Sequence, residues 1–160
     1  MASWSNFFFA EVGASAALVG LIFVAVSINL TKILAYERLP GRALEALIVL
    51  SSILMLSSLM LVPDQPIKLL GAEVLVISVI IWIIVTRIFL RNYWMTDPQY
   101  RRKAFRNVIV TQLALIPSIL AGIVLIVSGL SGLYLLVPAF IFSFIKGLYD
   151  AWVLLIEINR

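Results

Sequence analysis

The chain has 160 residues, of which 63% are hydrophobic and only 12% charged, with a net charge of +4. Soluble domains carry about 25% charged residues, and a fold of this size has too little interior to hide so much apolar side chain. With no cysteine and no histidine, disulfides, thiolate chemistry, imidazole general bases and haem ligation through either residue are excluded.

Five apolar stretches follow one another, each near the 20 or so residues a helix needs to cross the hydrocarbon core. The expected spans are 7–30, 43–62, 69–90, 108–128 and 133–156. The segment Met1-Ala2-Ser3-Trp4-Ser5-Asn6 lacks the basic start of a cleaved signal, so the first span is expected to stay as an anchor. Pro63-Asp64-Gln65-Pro66 breaks the chain after the second span, and Gly129-Leu130-Ser131-Gly132 after the fourth. Merging the last two spans would give a helix of about 50 residues, too long for one crossing.

Basic residues gather on alternate loops. Lys32, Arg38 and Arg42 surround the first loop; Arg87, Arg91, Arg101, Arg102, Lys103 and Arg106 surround the third; Arg160 ends the chain. The second loop has only Lys68 and the fourth has no charge. The positive-inside rule then predicts an all-α integral membrane bundle of five helices, one domain over 1–160, with the N-terminus outside and the C-terminus cytoplasmic. The Arg101-Arg102-Lys103 run fits a topology signal in contact with anionic lipid headgroups better than a nucleic-acid site. Tyr93, Trp94 and Tyr100, with Trp4 and Trp152, fit interfacial aromatic belts.

Small residues mark faces where membrane helices approach closely. Gly13, Ala14, Ala17 and Gly20 in the first span form that pattern, which predicts a central helix packed on a neighbour or a second copy. Ser51, Ser52, Ser57 and Ser58 in the second span either bond to their own backbone or line a polar path. Pro117 and Pro138 lie inside the fourth and fifth spans, where a kink is expected.

Ionisable side chains within the bilayer cost about 2.5–3.5 kcal/mol each on insertion scales, so each calls for a reason. Glu11, Glu73, Lys146 and Asp150 stand out, and Asn29 shares the azimuth of Glu11 on the first helix. Lys146 and Asp150 are one turn apart and can pair; Arg87 is a rival partner for Asp150. Glu45 and Arg42 suit a contact at the inner rim, and Thr111 with Gln112 adds a polar spot nearby. Glu11 and Glu73 would gather cations at an outer mouth, with Lys146 and Asp150 controlling the inner part. Glu11 is the first candidate for a functional residue, against the simpler reading that it locks the fold.

The run Phe7-Phe8-Phe9, Gly13-Ala14-Ser15-Ala16-Ala17-Leu18 and Gly20-Leu21-Ile22-Phe23-Val24-Ala25-Val26-Ser27-Ile28-Asn29-Leu30 resembles the opening of a widespread group of small bacterial multi-pass membrane proteins whose function is uncharacterised. Leu39-Pro40-Gly41-Arg42-Ala43, Glu45-Ala46-Leu47 and Leu61-Val62-Pro63 extend the resemblance over about the first 65 residues. It implies a bacterial inner-membrane protein and transfers no site residue. The residues themselves lead to a homo-oligomeric ion channel or small-solute pathway, with a non-catalytic accessory subunit of a larger membrane complex as the alternative. No nucleophile stands beside a base, so an enzyme is not expected, nor is a cofactor.

Overall fold

The computed structural model describes residues 2–36, 39–94 and 101–158. Six α-helices follow in order: α1 (Ala2–Ile28), α2 (Leu30–Leu34), α3 (Leu39–Met60), α4 (Ile67–Trp94), α5 (Arg101–Ser128) and α6 (Leu133–Ile158). There is no strand among the described residues.

Four segments are long and apolar enough to cross a membrane: Trp4–Ile28, Leu39–Met60, Ile67–Arg91 and Asn107–Ile156. The last covers 50 residues. It folds back on itself through a 3₁₀ turn at Gly129–Gly132, so α5 and α6 pack side by side. Gly129 takes a left-handed φ of 67°, a conformation glycine adopts without a Cβ penalty. Asp64, with φ 56°, plays the same part in the turn between α3 and α4.

Helices α3, α4, α5 and α6 form a ring, each packed on its two neighbours, and α1 lies outside it against α3. Arg42, Arg87, Arg91 and the N-terminus of α5 lie at one end, called the basic end below; the two turns close the opposite end. The ring closes through glycines that let backbones touch. A Cβ on Gly122 would lie 2.7 Å from the backbone nitrogen of Leu75, and one on Gly71 would lie 2.9 Å from that of Ile126. Gly132 meets the backbones of Ala121 and Leu125 in the same way, whereas Gly147 makes room for the Leu50 side chain. Pro117 and Pro138 sit inside continuous helices.

The central place expected for α1 is not the one it takes, and its small-residue face is not the side that meets the chain's own bundle. Its buried positions are Phe8, Ser15 and Ile22, seven residues apart, which is the seam of a helix packed on one partner. Gly13, Ala14, Ala17 and Gly20 lie on the other side and are exposed, and a Cβ on Gly13 or Gly20 would have nothing within 4 Å. The reason is bulk. Phe7 and Phe8 pack against Phe140, and Trp4 against Tyr134, so the aromatic side of α1 wins the bundle.

Candidate functional site

The bundle interior is unlike at its two ends. Within about 11 Å of the turn end, at 1.5 Å per residue, the packed side chains are Ile53, Leu56, Val74, Leu125, Leu136 and Phe140, with the Ser57 hydroxyl among them and without a hydrogen-bond partner among the described residues. None is more than 2% exposed. This apolar plug is continuous with Phe8 and Ile22 of α1.

At mid-depth each ring helix contributes one buried serine: Ser52, Ser78, Ser118 and Ser143. They lie about 12–17 Å from the turn-end termini of their helices. Ser52 and Ser118 donate to their own helices, to the carbonyls of Val49 and Leu115. Ser143 donates across to the carbonyl of Ala114 on α5. The Ser78 hydroxyl has no hydrogen-bond partner among the described residues.

Toward the basic end follows an ionic network. The Lys146 ammonium donates to Glu45 Oε1 at 2.9 Å and to Asp150 Oδ2. Thr111 donates to the same Glu45 oxygen at 3.0 Å. Lys146 is 0% exposed, and Glu45 and Asp150 are each 3% exposed. Three helices thus hold two carboxylates on one ammonium inside the bundle. Charges removed from water this completely stand only when paired and hydrogen-bonded. Trp82 donates to Gln112 Oε1 at 2.6 Å nearby. Val49, Ile81, Val85 and Leu115 fill the α4 side at this depth, which confines the charged groups to the space between α3, α5 and α6.

The i, i+4 contact of Lys146 with Asp150 is therefore formed. Glu45, read as a rim residue, is the correction: it reaches inward and completes the network. Its partner lies 101 residues away in sequence, so no local spacing announces it.

The other candidates are scattered. Glu11 is half-buried on the α1 seam, and its Oε2 has no hydrogen-bond partner among the described residues. The Asn29 amide donates to the carbonyl of Ala25 at 2.9 Å, at the break between α1 and α2. Glu73 accepts from Gln65, which ties α4 to the turn before it. A cavity of about 540 Å³ at the turn end is lined by Trp4, Phe8, Asp64, Gln65, Leu70 and Leu133, and by neither Glu11 nor Glu73. The Arg101-Arg102-Lys103 side chains, together with Arg38, Tyr93, Trp94, Tyr100 and Arg160, lie outside the described residues and side chains.

The close-packing glycines of the ring did carry a signal. Ser118 with Gly122, and Ser143 with Gly147 and Ala151, repeat small residues at four-residue spacing, as in α1. Among the described residues no cluster of acidic side chains is placed to hold a metal ion. No protein-family model, curated protein or solved structure matches this chain.

Proposed function

We propose that this chain is a bacterial inner-membrane protein that crosses the bilayer five times, N-terminus outside, and passes an ion or small polar solute between α3, α5 and α6. The observation that carries the reading is the divided interior. A buried Glu45–Lys146–Asp150 network and a belt of serines occupy one half, and a plug that is apolar but for Ser57 closes the other. Ionisable groups inside membrane helices are costly and mark pathways by default, and an apolar constriction gates by excluding water. With the basic end cytoplasmic by the positive-inside rule, the polar half faces inward and the plug faces outward.

The protein is proposed to work as a homo-oligomer in contact with anionic lipid headgroups. The exposed Gly13, Ala14, Ala17 and Gly20 face of α1 offers a surface on which a second copy packs closely. Glu11 and Asn29, on the seam between α1 and the ring, belong to the fold rather than to the pathway. The second reading, an accessory subunit of a larger membrane complex, draws on the same exposed face of α1, which also suits a partner's helix.

The test is ion and solute flux through purified protein in liposomes, with oligomer mass measured on the same samples. Wild type, Asp150→Asn and Glu11→Gln are compared. Flux that Asp150→Asn changes and Glu11→Gln leaves intact supports the pathway. A folded oligomer with no flux across several gradients supports the accessory subunit.

A further inference from the structure

A second cavity, of about 460 Å³, opens beside the ionic network at the basic end. Its polar wall is Arg42, Asn107, Tyr149 and Asp150. Its apolar wall includes Val110 and Ile145, both exposed on the outer surface of the bundle. The cavity therefore opens sideways, where acyl chains lie, and not along the bundle axis. Its size falls within the range of small-ligand sites, about 300–1,000 Å³.

The charges on the wall restrict what fits. Asp150 is almost fully buried and shares one oxygen with Lys146, and the positive charge of Arg42 acts on it. A purely anionic group seated here meets a buried carboxylate. A purely cationic one meets a guanidinium. A group that carries both charges, laid antiparallel to the Arg42–Asp150 pair, is favoured at each end. A primary ammonium also donates N–H hydrogen bonds to a carboxylate, which a quaternary ammonium does not.

We propose that this cavity is a lipid site selective for an amino-phosphate headgroup of the phosphatidylethanolamine class, in the leaflet on the basic side. The phosphate lies against Arg42 and Asn107, the ammonium against Asp150 and the Tyr149 hydroxyl, and an acyl chain follows Val110 and Ile145. Basic pockets between membrane helices are known to hold lipid headgroups; the buried acid on this wall changes the preference from anionic to zwitterionic. The site does not depend on the permeation reading, because a lipid here serves a pathway or an accessory subunit equally.

The experiment is native mass spectrometry of the purified protein titrated with dioleoyl phosphatidylethanolamine, phosphatidylcholine and phosphatidylglycerol, and with soluble glycerophosphoethanolamine. The ethanolamine lipid is expected to bind about tenfold tighter than either other lipid, the factor that one charge-assisted hydrogen bond supplies. The soluble headgroup is expected to bind far more weakly than the lipid. Arg42→Gln and Asn107→Leu should each weaken all three lipids, which share the phosphate, and Tyr149→Phe should reduce the preference for ethanolamine over choline; glutamine at Arg101, Arg102 and Lys103 together should leave that ethanolamine-over-choline preference unchanged. If Arg42→Gln does not fold, Asn107→Leu and Tyr149→Phe decide. Equal or tighter binding of phosphatidylglycerol overturns the proposal, as does a preference that survives Tyr149→Phe or an affinity for the ethanolamine lipid that Asn107→Leu leaves unchanged. Soluble headgroup binding as tight as the lipid overturns the sideways, lipid-facing assignment.

Discussion

Replacing Lys146 by methionine keeps most of the side-chain volume and removes the one ammonium that Glu45 and Asp150 share. Two carboxylates, each 3% exposed, are then left side by side without that counterion. Breaking a buried ion pair by removing one partner costs about 3–5 kcal/mol, because the remaining charge is buried and unmatched. At about 2–4 °C per kcal/mol for a chain of this size, Lys146→Met should melt about 6–20 °C lower. Removing all three charges together, as Glu45→Gln, Lys146→Met and Asp150→Asn, should recover most of that loss, since an apolar or neutral substitute for a buried network is often neutral or stabilising. The assay is thermal unfolding in detergent, followed by intrinsic fluorescence of the tryptophans. A Lys146→Met melt within about 2 °C of wild type would refute the reasoning, at that same scale. So would a triple variant no more stable than the single one.

Gly122→Ala places a Cβ 2.7 Å from the Leu75 backbone, so overpacking should cost about 1–3 kcal/mol, read in the same melt. Gly20 is exposed and a Cβ there has nothing within 4 Å, so Gly20→Leu should leave the melt alone and lower the oligomer mass measured by light scattering. Phe140→Ala deletes a ring packed on Phe7 and Phe8 at the plug; about 3–5 kcal/mol of stability should be lost, and liposome flux should rise. Glu11→Gln should leave flux intact, checked by the liposome assay.

The helices were legible because membrane-length apolar runs and their breakers are local signals. Pro63 to Pro66 and Gly129 to Gly132 mark both turns where the structure has them. The Lys146–Asp150 contact was legible for the same reason, since four residues make one helical turn. Glu45 was not, because which face of α3 meets α6 is a tertiary fact that sequence spacing does not carry. Which side of α1 meets its own bundle was not legible, because small residues say that a face is able to pack closely, not which neighbour takes it. Aromatic bulk at Trp4, Phe7 and Phe8 decided that, by meeting Tyr134 and Phe140. The serine belt was hidden by its distribution, one residue on each of four helices; only the cluster on α3 stood out along the chain.

The absence of native cysteine allows the proposed pathway to be mapped on an otherwise unchanged chain. The most direct measurement places single cysteines at Ser143, in the polar half, and at Val74, in the plug, and exposes reconstituted protein to a membrane-impermeant thiol reagent from each side. Ser143→Cys should be modified from the basic side alone, with loss of flux, and Val74→Cys from neither side. A Ser143→Cys protein that is closed to the reagent from both sides, or modified with no change in flux, would contradict a pathway through α3, α5 and α6.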